Sequence, residues 1–428
     1  MTISAGDAAG GAAGGRDAAG GGDASGGALR RAAARNVSRF YVYNILGSLN
    51  IWMPVYILYV LSRGLTLTQA TLLSSVWWLT AVVFEVPTGA IADRHGRRTS
   101  LILGCVALIA AFCVLALSRT MAWIGVAYVL WAISVTFYSG ADYALLYDTL
   151  REVGREGEYQ RACGRAMSYG LVAAGIGSLL GGLLGKVGLV WPIALSGVIA
   201  VGQLLAVLRL REPRVERKQQ VRYYAHVGQS FRAAFAPPRV RNLIILAALV
   251  ATAAWVLGVL YQPHLQSLGF SVAMIGALYL VLRLCGAVGS NYAHAIGRAL
   301  RRAAPLALVP ALLCVSVALL ALFHSMAAVV FMFTNKFLES VLSPLLSAAM
   351  NEQIESEKRA TVLSIASLTS SLLLAAVQPF AGNVADRFTT AAGFWLLAAI
   401  LGVAAVFAAL TLRRGAARQE MAPGDGRH

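Results

Sequence analysis

Uncharged apolar runs near 20 residues recur along this chain, and a helix of that length crosses the ~30 Å hydrocarbon layer of a bilayer. Backbone amides in lipid must be satisfied within their own segment or in a closed barrel. The period-two alternation of barrel strands is missing, so helices are forced. Composition agrees: 58% of the 428 residues are apolar and 13% charged, with a mean hydropathy of +0.68, far from a soluble domain.

Twelve spans are predicted, at 38–61, 68–92, 99–118, 122–147, 163–185, 189–208, 242–262, 272–297, 305–323, 327–351, 361–384 and 390–412. The fold class that follows is an all-α integral membrane protein of twelve transmembrane helices in two six-helix, pseudo-symmetric bundles, over 38–208 and 242–412. Residues 1–37, rich in Gly and Ala, are expected to be a disordered cytosolic tail, and 413–428 a second one. Residues 209–241 form a basic cytosolic linker with a short amphipathic segment on anionic lipid. A faint internal echo, "EYQRACGRAMSYG" after span 4 and "EKRATVLSIASLT" after span 10, accords with duplication.

Placing the N-terminus in the cytosol tests the count. Of 36 Lys and Arg residues, only Arg63, Arg119, Lys186 and Arg387 fall on the outer side, and only Arg283 and Lys336 lie within spans away from their cytosolic ends. This positive-inside bias accounts for the formal charge of +17, so the lipid bilayer is the partner and nucleic acid is not. Both termini are expected in the cytosol of a multi-pass cell-membrane protein, in the inner membrane of a bacterium. The five cysteines form no CxxC pair and read as small buried side chains. The histidines are scattered without HExxH spacing, which leaves no metal site, no cofactor and no enzyme in view.

Between spans 2 and 3 stands "GAIADRHGRRTSL". A tight turn with positive-inside arginines explains its cations but not their order. Gly89, Asp93, Arg94, Gly96, Arg97 and Arg98 fit G-x-x-x-D-R-x-G-R-R, and with the twelve spans and long central loop the chain resembles the major facilitator superfamily over about residues 38–412. Gly89 would let helix 2 approach a neighbour, and Gly96 would allow the turn. The resemblance implies a conformational gate. In it, Asp93 faces the start of helix 11, near Arg359 to Leu363, when the cytosolic side is closed. Arg97 or Arg98 pairs with Asp148 or Asp142, in a wet latch of ion pairs worth ~1 kcal/mol each.

Antiporters of that family carry a glycine, eight residues, then GxxxGPxxGG in helix 5. Here Gly164, Ala173, Gly177, Ser178, Gly181 and Gly182 occupy those places, with one glycine replaced by alanine and the proline by serine. A small-residue face for close packing explains the pattern equally well.

Ionisable residues within spans are functional candidates by default. They are Glu85 on helix 2, Asp142 on helix 4, Arg283 on helix 8, and Lys336 with Glu339 three residues apart on helix 10. Simple pairing, of Arg283 with Glu339 and of Glu85 or Asp142 with the loop arginines, is one reading. The other is proton coupling, since a buried carboxylate takes up a proton when its cation partner leaves and loses it when the cation returns. Glu339 with Arg283 or Lys336 is the first choice for that role, Glu85 or Asp142 the second. If the family arrangement holds, a cavity is lined from Asn50, Trp52, Trp77, Trp78, Tyr138, Tyr143, Tyr261, Gln262, Asn335 and Gln378. Trp52 and Trp77 are the most open to being headgroup anchors instead. Aromatic walls with few fixed charges would suit an apolar or cationic small molecule. The expected function is alternating-access transport by a monomer: proton-coupled export of small organic compounds, or else proton-coupled uptake of a metabolite.

Overall fold

The computed structural model describes residues 20–214, 235, 237–300, 304–355 and 359–420. Eleven helices are long and apolar enough to cross a membrane. The first span is missing from that set because it is broken. It consists of α1 (Gly20–Ser48) and α2 (Tyr56–Ser62), separated by irregular backbone in which Asn50 takes a left-handed φ of 42°. Pro54 disfavours helix at the residue before it and removes a backbone donor.

The other spans follow in order: α3 (Leu67–His95), α4 (Arg97–Leu117), α5 (Met121–Tyr138) continued by α6 (Ala141–Arg151), α7 (Tyr159–Val187) and α8 (Val190–Leu208). After the linker come α9 (Pro238–Ser267), α10 (Val272–Ala299), α11 (Pro305–Leu322), α12 (Val329–Glu352), α13 (Arg359–Arg387) and α14 (Thr390–Glu420). The fourth span bends between α5 and α6, where Gly140 has a φ of 73°.

Helix α1 begins at Gly20, well inside the stretch expected to be disordered. Its "ALRRAAAR" segment is built from strong helix formers, which a reading based on low apolar bulk overlooks. Residues 1–19 and 215–234, with the expected amphipathic segment, lie outside the described residues.

The packing repeats between halves. In the first, α4 lies against α5 and α8, α3 against α5, and α1 against α7 and α8. In the second, α11 lies against α12 and α14, α10 against α12, and α9 against α13 and α14. Shifting every span by six converts one set into the other, so the chain is two six-span bundles of one design. Two long contacts join them, α3 along α13 and α7 along α10, and the same shift exchanges these two pairs.

Small residues set how closely α7 approaches its neighbours. A Cβ on Gly177 would lie 1.5 Å from the Leu49 carbonyl oxygen, and one on Gly181 would lie 2.0 Å from that of Ile51. The break in span 1 is therefore seated directly on the α7 backbone. On its other flank Gly182 meets Gly276 of α10, each Cβ position within 2.7 Å of the opposite Cα. Gly164, from the same sequence pattern, has nothing within 4 Å of its Cβ position.

Candidate functional site

The face carrying the linker and the face opposite it differ. On the far face the halves are clasped. Asp386, at the end of α13, accepts hydrogen bonds from the backbone N–H of Leu67 (3.0 Å) and Thr68 (2.6 Å) and from the Thr68 hydroxyl (2.6 Å), all at the start of α3. Those are orphan donors of a helix N-terminus. The next one, from Gln69, goes to the Thr66 hydroxyl in a capping box. Deeper in, fully buried Gln262 of α9 accepts from Ile57 N–H (3.0 Å) and donates to the Met53 carbonyl (2.9 Å) and to the Tyr279 hydroxyl (3.2 Å). It satisfies the irregular backbone of span 1, as lipid-buried non-helical segments require. Gln262 is a clasp between the halves, not the cavity group expected.

On the linker face the described residues Asp93 and Gly89 do not take part in such a clasp. Asp93 is exposed and makes no hydrogen bond or ion pair among the described residues. Gly89 does not press on a neighbouring helix here, since nothing lies within 4 Å of its Cβ position. Arg94 is exposed beside Asp93.

The rest of the loop cluster works within the first half. Arg97 Nε lies 3.3 Å from Asp148 Oδ2, whose side chain is only 7% exposed. Breaking the pair would strand the buried carboxylate, at a cost of up to ~3–5 kcal/mol, more than the ~1 kcal/mol of a wet latch. The Arg98 guanidinium donates to the Leu208 carbonyl at the end of α8 (2.7 Å). Glu212, two residues past Leu210 in the linker, accepts from the backbone N–H of Arg97 (2.9 Å) and Arg98 (2.7 Å) and so caps α4. Gly96, with a φ of 102°, brings these amides round, and a Cβ there would meet the Glu212 carboxylate at 3.1 Å. The sequence reading missed Glu212; its signal was an acid directly after span 6 in an otherwise basic stretch. A Glu212→Ala chain should melt lower by ~1–2 kcal/mol of cap energy. Thermal unfolding in detergent checks this, and an unchanged midpoint contradicts it.

Between the two faces lie two adjoining cavities of about 500 Å³ and 290 Å³, both lined by Met53, Tyr56, Trp255 and Arg283. The larger sits mainly in the first half and is walled by tryptophans. Trp52 and Trp77 each pack edge-on or tilted against Trp131 (centroids 4.7 and 5.0 Å), and Trp78 meets Trp255 across the halves at 5.4 Å. Trp52 and Trp77 thus line the interior and are not headgroup anchors; the sequence shows their span but not which way around the helix they point. Tyr138 and Gln378 also line the larger cavity, and Tyr261, Asn335, Lys336 and Glu339 the smaller. Tyr143 lines neither, packing instead on Phe40 with centroids 5.8 Å apart. Four buried polar atoms in the walls have no hydrogen-bond partner among the described residues: Trp77 Nε1, the Tyr138 hydroxyl, Gln378 Oε1 and Asn335 Oδ1. Folded proteins rarely leave such atoms unpaired, and none of the four is open to the cavity in this state.

Of the charges within spans, Glu339 Oε2 pairs with Lys336 Nζ at 2.9 Å. Arg283 does not pair with Glu339. Its Nε donates to the Ser178 hydroxyl at 3.2 Å, and it makes no ion pair among the described residues. Ser178, where the helix 5 pattern has proline, thus holds this arginine from the other half. Glu85 accepts from the Ser139 hydroxyl (2.9 Å) at the bend of the fourth span. Asp142 stands in the first turn of α6, accepting from Tyr143 N–H (2.7 Å), where a helix N-terminus favours a carboxylate. Neither reaches the loop arginines.

The sequence profile described as Major Facilitator Superfamily matches residues 37–372. Among known proteins, this chain is similar to YxaM, an uncharacterized MFS-type transporter of Bacillus subtilis, with 25% identity over 252 residues, 57% of this chain and 62% of that protein. It is also similar to the enterobactin exporter EntS of Salmonella typhi, with 30% identity over 206 residues, 47% of this chain and 49% of EntS. The matches thus span between about half and three-fifths of those relatives' length. Among solved structures, the nucleoside transporter NupG superposes with a TM-score of 0.75 at 13% identity, covering 87% of this chain and 99% of that one. A bacterial homologue of the human lysosomal transporter Spinster, inward-facing and unoccupied, gives 0.71 at 17%, covering 90% and 97%. At such identities these two likenesses concern the fold alone.

Proposed function

The chain belongs to the Major Facilitator Superfamily, and from that premise we propose that it is a proton-coupled exporter of small organic compounds working by alternating access, with its linker face in the cytosol. The observation that carries this reading is the asymmetry of the two faces around a central cavity. The Asp386 and Gln262 clasps join the halves on one side while Asp93 stands free on the other. In this reading the structure is half of a rocking cycle, with the cavity reached from the linker face and shut from the far face. The symmetry of the packing supplies the other half, in which the roles of α3 with α13 and α7 with α10 are exchanged.

The direction of transport follows the likeness to an exporter over part of the chain and the partial helix 5 pattern. Proton coupling rests on Glu339, whose carboxylate faces the smaller cavity and is held by a cation on its own helix. Rigid rocking alone leaves this intrahelical pair intact, so coupling requires Lys336 to turn away from Glu339 as its surroundings rearrange; loss of the contact would let the carboxylate take a proton, and its return would expel it.

The test is proton and solute flux in vesicles holding the purified protein, across a panel of anionic, neutral and cationic organic compounds, beside Glu339→Gln. Wild type should release protons against a transported compound. The variant should lose pH-driven accumulation by tenfold or more yet still exchange labelled for unlabelled compound, since exchange needs no net proton movement. Full proton-driven transport by Glu339→Gln would contradict the coupling site. Protons and solute moving in the same direction would make the chain an uptake symporter.

A further inference from the structure

We propose that the central cavity takes an organic anion bearing an aromatic ring, with the Arg283 guanidinium as partner of the anionic group and the surrounding tryptophans as partners of the ring. This rests on the transporter reading above and names its substrate class.

Charge decides the first part. Arg283 is the charged side chain common to both cavities, and no aspartate or glutamate lines the larger one. In the smaller, the carboxylate present, Glu339, is already engaged by Lys336 at 2.9 Å. The walls therefore hold two cations against one anion. The expectation of an apolar or cationic substrate rested on aromatic walls with few fixed charges, with an Arg283–Glu339 pair as one of the readings. With that pair absent, a cationic substrate would meet an uncompensated like charge in a site of low dielectric, where such repulsion outweighs attraction to the ring faces. The planar guanidinium fork, with Nε turned to Ser178, matches a carboxylate or similar oxyanion in two parallel hydrogen bonds. An unpaired buried charge is costly to keep, and an arriving anion removes that cost.

The tryptophans decide the second part. Trp77 packs edge-on against Trp78 and tilted against Trp131, and Trp255 completes the wall from the other half against Trp78. Flat apolar faces set at angles accept a ring in stacked or edge-on geometry. The volumes, about 500 Å³ and 290 Å³, lie in the range of small-molecule sites. Such a ligand would touch α3 in one half and α9 and α10 in the other, and only a ligand that contacts both halves differently in each state can bias their rocking.

The experiment is equilibrium binding of tritiated 2-naphthoate to the purified full chain in lipid nanodiscs, with three competitors. They are 2-naphthamide (ring without charge), cyclohexanecarboxylate (charge without aromatic ring) and 2-naphthylmethylammonium (ring with opposite charge). Saturable 2-naphthoate binding is expected, with each competitor at least tenfold weaker. Arg283→Gln should weaken 2-naphthoate at least tenfold, to the level of the amide, while leaving the amide unchanged, and Arg283→Lys should retain part of the difference. Equal competition by the amide or the ammonium, unaltered binding by Arg283→Gln, or no saturable 2-naphthoate binding would each overturn the proposal. The competitor series on wild type stands even if the variants do not fold. If 2-naphthoate binds as expected but no solute exchange occurs in vesicles, the transporter reading fails and the anion site remains.

Discussion

A Gly177→Val chain should not give a folded protein, whereas Gly164→Val, thirteen residues earlier on the same helix, should. A Cβ at Gly177 would stand 1.5 Å from the Leu49 carbonyl oxygen, a backbone atom that no rotamer change can move aside. The segment it strikes is itself held. Pro54 shapes it, and Gln262 ties its Met53 carbonyl and the Ile57 amide to the other half. Either α7 retreats and loses the Gly182–Gly276 approach to α10, or the break in span 1 shifts and leaves buried backbone groups unpaired. Overpacking a dense interior typically costs ~1–3 kcal/mol, and a backbone-to-backbone clash with two knock-on losses exceeds that. At Gly164 the Cβ position is open, so the change there is limited to helix propensity, worth less than ~1 kcal/mol. Detergent extraction followed by size exclusion distinguishes them: a monodisperse peak for Gly164→Val and aggregate for Gly177→Val. A Gly177→Val chain that elutes and melts like wild type would show that the seat of span 1 on α7 is not as described.

This contrast shows how much of the molecule was legible in its residues. The spans were legible because membrane burial demands long apolar runs, and the DRxGRR loop because its order exceeds what a turn requires. Breaks inside spans were not. A run of twenty apolar residues looks the same whether its helix is continuous or interrupted at Leu49 to Val55. Direction around a helix was also hidden, which is why Trp52 and Trp77 stood open between cavity wall and anchor, Gln262 read as a cavity group and Gly89 as a contact. Arg283 and Glu339 were found by the cost of burying charge, but their pairing depends on helix rotation that spacing cannot give. Lys336 and Glu339, three apart on one helix, were the exception, since spacing alone puts them on one face. Asp386 was passed over although "VADRF" at the end of α13 echoes "IADRH" at the end of α3. Its meaning emerges only once those two helices are seen to pack along each other.

That echo leads to the second large effect: Asp386→Asn should shift the protein toward the state open at the far face. Asp386 supplies three acceptor contacts to the start of α3 from the opposite half. Asparagine keeps one acceptor oxygen but loses the charge that favours a helix N-terminus. Hydrogen bonds to charged groups contribute ~1.5–3 kcal/mol, and exposure of Asp386 lowers this to ~1–2 kcal/mol for the clasp. Because the contact joins the halves only when the far face is closed, its loss changes the ratio of the two states by about 5- to 30-fold. Asp93 and Asp386 end the two helices that lie along each other, α3 and α13, at opposite faces, which places Asp93 to act on the start of α13 when the linker face closes, so Asp93→Asn should push the equilibrium the opposite way. The double variant should return it toward wild type, a cancellation that general destabilisation cannot imitate. Spin labels at Thr120→Cys and Ser325→Cys, exposed on the far face in opposite halves, report the separation by pulsed electron resonance once the five native cysteines are replaced. The far-face distance should lengthen in Asp386→Asn, shorten or hold in Asp93→Asn, and lie between in the double variant. If Asp386→Asn leaves the distribution unchanged, the carboxylate is only a helix cap and the far face is held shut by Gln262 and the glycine contact instead.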